Sequence, residues 1–142
     1  MADFFSGVEA AIGGAAVGAL QSQSEWAGLK AQVAAGTLRM EPGVAEACAK
    51  ACQTAHDDLG RELGNTRQLS RVHGLGSWQS GQSIAQKFRG KAGAENPSAN
   101  SAGGVIRSHR DVLLEMRDTF RAAGQAYAAA EQANANRLRG LS

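Results

Sequence analysis

The chain has few aromatic residues, which β-structure favours, and few prolines, which interrupt helices. Aromatic residues make up only 5% of its 142 residues, and there are only two prolines. Few aromatic and β-branched runs argue against a β-sandwich or barrel, and the scarcity of proline permits long helices. Glycine is abundant but has no period of three, which excludes collagen. Alanine and glycine dominate, and the length fits one domain, so we expect an all-α fold.

The chain also lacks the clusters that support metal binding or catalysis. Its two cysteines, Cys48 and Cys52, lie four residues apart with no second Cys/His pair beside them, so we interpret them as small packing residues. The histidines His56, His73 and His109 are scattered and fit no catalytic or metal-ligand spacing. The net charge of +2 is no signature of nucleic-acid binding. We therefore predict no enzyme activity, no metal, no cofactor and no nucleic-acid partner.

Residues 1–37 form a glycine- and alanine-rich amphipathic segment before a second region, residues 38–142. Lys and Arg are absent between Met1 and Leu20, so the basic start of a Sec leader is missing and we expect none. The apolar stretch from Gly7 to Leu20 is shorter than the about 20 residues of a membrane-spanning helix. Gly14 and Gly18 form a G-x-x-x-G pattern, which suits close helix packing. Packing within the chain or on a partner is the preferred interpretation, and membrane contact remains an alternative.

A first long helix is predicted from Pro42 to about His73, because proline suits the first helical turn. Its predicted packing seam consists mainly of small residues: Val44, Ala47, Cys48, Ala51, Cys52, Ala55, Leu59 and Leu63. The glycine-rich stretch Gly74–Gly81 then predicts a turn, followed by a short helix capped by Ser77 or Ser80. A second break is expected over residues 90–104, which contain Asn96 and Pro97.

The clearest pattern lies in the last third of the chain. Spacings of three and four alternate through a predicted interface seam that comprises Ile106, His109, Leu113, Met116, Phe120 and Ala123, and then continues through Tyr127, Ala130 and Asn134. This pattern predicts a helix from about Gly104 to Leu138. Two long helices joined through a glycine-rich turn predict an antiparallel helical hairpin, with the N-terminal segment as an extra helix. Either a partner chain or this N-terminal segment would cover the remaining apolar surface.

This order of elements resembles the WXG-like helical hairpins, the substrates and helper proteins of the actinobacterial type VII secretion system. The resemblance covers about Leu38 to Leu138. It rests on a helix, a glycine-rich turn with Trp78, and a second long helix that ends in Tyr127-Ala-Ala-Ala-Glu131. The turn residues are Gly74, Gly76, Trp78 and Gly81, and the last glycine stands one place later than in the family's Trp-x-Gly turn.

The resemblance implies a secretion-linked function. Tyr127 and Glu131 match the family's Y-x-x-x-D/E export signal, and side chains four residues apart lie on one helix face. The resemblance implies that this chain is an exported substrate, or a small adaptor that carries the signal for a larger effector. Its implied partners are a second copy, another helical-hairpin protein or effector, and the secretion ATPase. It would be cytoplasmic before export and then secreted or in the cell envelope. The alternative is a structural or membrane-associated helical assembly protein that oligomerises through residues 1–37.

Overall fold

The described part of the chain folds into four α-helices. The computed structural model describes the backbone of residues 2–93 and 98–140 and the side chains of residues 18–93 and 98–140. The helices are α1 (Ala2–Ala34), α2 (Pro42–Leu69), α3 (Gln79–Ala92) and α4 (Ala102–Gly140), and these backbone ranges contain no strand. The all-α prediction is confirmed. The polar stretch Gln21–Glu25 does not interrupt α1, because these side chains are compatible with a helix.

The junction between α1 and α2 is set by two capping arrangements. After α1, Gly36 adopts a φ of 74°, and its N–H donates to the Val33 carbonyl (2.9 Å) while the Thr37 N–H donates to the Gln32 carbonyl (3.0 Å). This pair of bonds is the Schellman motif, which requires a left-handed residue that glycine supplies most easily. At the start of α2, the Glu41 carboxylate accepts from the N–H groups of Gly43 (3.0 Å) and Val44 (2.8 Å). Helix α2 therefore begins at Pro42 as expected.

The ends of α2 and α3 differ from the sequence prediction. Helix α2 ends at Leu69 rather than near His73. The expected serine cap of α3 is wrong: Trp78 occupies the N-cap position and its side chain makes no capping bond. Helix α3 continues through Gly90 and ends where Gly93 turns left-handed with a φ of 63°. The break before α4 is therefore shorter than expected.

Helix α4 starts under a close backbone crossing. A Cβ atom on Gly104 would lie 1.8 Å from the Ser98 carbonyl oxygen, and one on Gly103 would lie 2.7 Å from the Gly93 carbonyl oxygen. Glycine is therefore needed at both positions for the preceding segment to pass over the first turn. Asn96 and Pro97, on which the loop prediction rested, lie outside the described residues.

The chain divides into two packing units. The first unit combines α1 up to Gln21 with His56–Asp111, and the second combines Ser22–Ala55 with α4 from Val112 onward. Small side chains dominate the buried positions of both. Among the described side chains, the buried apolar residues of the first unit are Ala19, Ala85 and Ala92, and those of the second unit are Val33, Ala45, Ala49, Cys52, Val112 and Ala123. Helices with small facing residues approach one another closely, so packing depends on short contacts rather than on large side chains.

The predicted seam of α2 is buried only in part. Cys52 is buried and Cys48, Ala55, Leu59 and Leu63 are half-buried, whereas Val44, Ala47 and Ala51 are exposed. Ala45 and Ala49, which the prediction omits, are 1% and 0% exposed, because alanine occurs on several faces of this helix and hydrophobicity does not distinguish them. The close approach of Ala45 to Gly124 of α4 selects the face: a Cβ on Gly124 would lie 2.9 Å from the Ala45 Cβ.

Candidate recognition site on α4

The predicted export-signal residues lie in the C-terminal half of α4, within the second unit. Tyr127 is 38% exposed, so its ring is partly packed while much of its surface is available. Glu131 is exposed one turn further along the helix. Side chains at this spacing are neighbours about 5–6 Å apart at their Cβ atoms. The phenol and the carboxylate therefore present an apolar surface, a hydroxyl group and a negative charge side by side.

A shallow groove of about 280 Å³ opens beside this part of α4. The residues that line it come from the start of α2 and from α4: Pro42, Ala45, Glu46, Arg121, Gly124, Gln125 and Ala128. Its lining is mainly apolar, and Gly124 lies where Ala45 of α2 packs against α4. No residue pattern in the sequence predicts this groove. Its only sequence signal is a glycine in the middle of an otherwise strongly helix-forming segment.

Charged side chains link α4 to the neighbouring helices of the second unit. Arg121 donates to the Glu46 carboxylate through Nε at 3.2 Å and through Nη2 at 3.3 Å. The hydrogen bond from Arg121 lowers the pKa of Glu46, and the same bond raises the pKa of Arg121. Both groups are about half exposed, so solvent screening limits what the pair contributes to stability. The pair sets one wall of the groove.

About one turn earlier in the same helix, Arg117 donates to the Gln53 side-chain oxygen at 2.6 Å. Lys30 of α1 pairs with Glu115 at 3.2 Å. These contacts attach α4 to both α1 and α2.

The residues of the predicted α4 seam differ in how deeply they are buried. Ala123 is buried, Ile106, Leu113, Met116 and Phe120 are half-buried, and His109 is exposed. The most buried side chains of the helix also include Val112 and Thr119, which the three-four pattern did not include. Phe120 meets Trp26 of α1 edge to face, with ring centroids 5.2 Å apart. The N-terminal segment thus covers apolar surface of α4 within the same chain.

The predicted turn residues lie in the first unit: Gly74, Gly76 and Trp78 lie between α2 and α3, whereas Gly81 lies in the first turn of α3 and not in the turn itself. Gly74 and Gly76 have φ angles of 86° and 77°, which only glycine adopts readily. Gly81 serves a different purpose: a Cβ there would lie 2.0 Å from the Leu75 carbonyl oxygen, so the turn rests directly on the first turn of α3. Trp78 is 82% exposed.

The remaining candidate groups are the two cysteines and His109. Cys48 and Cys52 are free thiols, and burial raises the pKa of Cys52 above the ordinary value of a thiol. His109 uses Nδ1 to contact the Val105 carbonyl of its own helix at 2.9 Å. Across the described residues no group of three His, Cys, Asp or Glu side chains is placed to hold a metal ion.

Comparison with known proteins gave no relative. No family model, no curated protein and no solved structure matches the chain. Among the described residues, none of the helices combines the length and apolar character needed to cross a bilayer.

Proposed function

We propose that the chain is a type VII secretion-linked protein, either an exported substrate or a small adaptor for a larger effector. It acts by recognition and not by catalysis. The observation that carries the proposal is the exposure of Tyr127 and Glu131, one turn apart on the open end of a long helix. An export signal must be accessible in the folded protein, and both side chains meet this condition.

The contact pattern of the second unit supports a hairpin arrangement of α2 and α4. Glu46 contacts Arg121, whereas Gln53, further along α2, contacts Arg117, which lies earlier in α4. When the residue numbers of contacting pairs increase along one helix and decrease along the other, the two helices run antiparallel. An antiparallel helical hairpin is the architecture that the resemblance to WXG-like proteins implies.

The groove beside Gly124 supports a recognition role for this end of the molecule. It lies on the same stretch of α4 as Tyr127 and includes Ala128 in its lining. In this proposal a partner helix or the secretion ATPase contacts the phenol and carboxylate. An apolar side chain of that partner enters the groove.

The test is export from the native host. Tyr127→Ala and Glu131→Ala are expected to leave the helical content unchanged, because both side chains are exposed, and to abolish appearance of the protein outside the cell. Leu138→Ala and Gln132→Ala are the matched controls, since they truncate exposed side chains of the same helix and should be exported normally. Glu131→Asp should retain export. Normal export of both alanine variants of the signal would refute the proposal.

The competing function is a helical assembly protein that oligomerises through the N-terminal segment. It is favoured by Leu20 of α1, which is 65% exposed. Truncation before residue 38 is a poor test, because it removes the Trp26 contact with Phe120. Light scattering of the full chain and of Leu20→Asp is better. If the full chain forms a large oligomer and Leu20→Asp dissociates it, the assembly function is favoured. If the full chain is a monomer or dimer and Leu20→Asp leaves its size unchanged, the secretion function is favoured.

A further inference from the structure

The first unit carries an exposed apolar surface around the connection between α2 and α3. Leu69 is 64% exposed at the end of α2, Leu75 is 42% exposed in the turn, and Trp78 is 82% exposed at the start of α3. A single exposed apolar side chain is ordinary, but three large ones within ten residues form a feature that needs an explanation. None of them belongs to the recognition site on α4.

The same stretch is basic throughout. Between Glu62 and Glu95 there is no acidic residue, whereas the basic residues are Arg67, Arg71, Lys87, Arg89 and Lys91, with His73 as an additional titratable group. The whole chain is nearly balanced at +2, so this stretch concentrates the positive charge. Arg67, Arg71 and Arg89 are exposed. A local excess of one charge sign beside apolar side chains selects an anionic partner.

The fold brings the turn and the helix of this stretch together. Leu75 and His73 from the turn line a groove of about 580 Å³ together with Arg89 from α3. Gly81 allows this approach, because the turn backbone occupies the space of its missing Cβ. Leu75 and Arg89 therefore line the same groove although they are well separated in sequence. Arg67, Leu69, Arg71 and Trp78 are exposed residues of the helix ends and the turn beside it in the chain, and we call these six residues together the basic apolar patch.

We infer that the basic apolar patch docks the protein on an anionic lipid surface. Tryptophan sits preferentially at the boundary between headgroups and acyl chains, where its ring is buried and its N–H remains hydrated. Arginine contacts anionic headgroups at the same depth. A nucleic acid would satisfy the arginines and leave Leu69 and Leu75 in water, whereas this boundary receives both kinds of side chain. The docking is peripheral and reversible, as expected for a small apolar area assisted by charge.

The two tryptophans make a direct test possible. In the full-length variant Trp26→Phe, Trp78 is the only tryptophan, and Phe preserves an aromatic contact with Phe120. Vesicles of phosphatidylglycerol and phosphatidylcholine in equal amounts should shift its emission to the blue and protect it from aqueous quenchers. Vesicles of phosphatidylcholine alone should not, and added salt should weaken the effect.

Substitutions then assign the binding to the patch. Arg67→Gln combined with Arg71→Gln should weaken binding to the mixed vesicles about 30-fold, from the loss of two basic residues at the headgroup surface. Trp78→Ala in the wild-type background, followed by co-sedimentation, should weaken it about tenfold. The matched control is Arg137→Gln combined with Arg139→Gln, which makes the same change in net charge at the end of α4 and should alter binding less than twofold. Because all these side chains are exposed or at a helix end, circular dichroism should be unchanged.

Three results would overturn the inference. Equal binding to neutral vesicles would remove the role of charge. Equal weakening by the control pair would show that net charge, and not the patch, is responsible. Tighter binding to duplex DNA or to poly-glutamate than to the mixed vesicles would assign the patch to a nucleic acid or to an acidic protein. All variants keep Tyr127 and Glu131, so the export proposal and this one can fail separately.

Discussion

Ser101 caps the longest helix of the protein, and Ser101→Ala is expected to be costly. Its side chain is completely buried, and its hydroxyl oxygen accepts from the Gly104 N–H at 3.1 Å while donating to the Ser98 carbonyl at 2.8 Å. The Ser98 carbonyl retains a bond from the Ser101 N–H at 3.0 Å. The Gly104 N–H, by contrast, loses its acceptor in a buried turn that water does not reach. A lost N-cap with a buried unsatisfied donor lowers the free energy of unfolding by about 2 kcal/mol.

Urea unfolding followed by far-UV circular dichroism measures this loss. The control is Ser108→Ala, which deletes the same hydroxyl group from the same helix. Ser108 donates to the Gly104 carbonyl at 3.2 Å from within the helix, where its loss strands no donor and alanine is the better helix former. We expect this control to change stability by less than about 0.5 kcal/mol. If both substitutions cost the same, the buried cap does not explain the stability of this turn.

Three further predictions concern glycine, pH and the aromatic pair. Gly81→Ala should destabilise the first unit by more than about 2 kcal/mol, because the added Cβ would meet a carbonyl oxygen. Gly90→Ala in the same helix places its Cβ where no atom lies within 4 Å, so this control should stabilise the helix. Equal effects of the two substitutions in urea titrations would contradict this prediction. The bonds from two N–H groups lower the pKa of Glu41 below the ordinary value of 4.5. The stability that the ionised Glu41 carboxylate contributes is therefore present above pH 4.5 and is lost as the pH falls through the lowered pKa. Glu41→Gln should weaken the decrease of the melting temperature at acid pH, and an unchanged decrease would contradict the capping role of Glu41. Replacing Trp26 and Phe120 by Leu, singly and together, should show a coupling of about 0.5–1.5 kcal/mol in a double-mutant cycle, and additive losses would remove the edge-to-face contact from the account.

The glycines show which structural roles can be predicted from the sequence and which cannot. The sequence predicts Gly74, Gly76 and Gly81 as turn residues, but only Gly74 and Gly76 have the positive φ angles that give a local reason for glycine. Gly81 and Gly124 have ordinary helical backbones, and each is needed because another part of the chain occupies its Cβ position or lies against it. Nothing local in the sequence distinguishes a glycine required by its own φ from one required by a neighbour.

The sequence by itself determined that the protein is helical, that long helices occupy the second and last thirds, and that a glycine-rich turn separates α2 from α3. Those features follow from scarce proline, abundant alanine and three-four spacing, which act over a few residues. Only the tertiary structure decided which face of α2 is buried, that Trp26 covers Phe120, and that the turn rests on Gly81. In an alanine-rich chain every face of a helix is weakly apolar. The choice among faces is therefore made by the distance to which two backbones can approach, and that distance exists only once the helices pack.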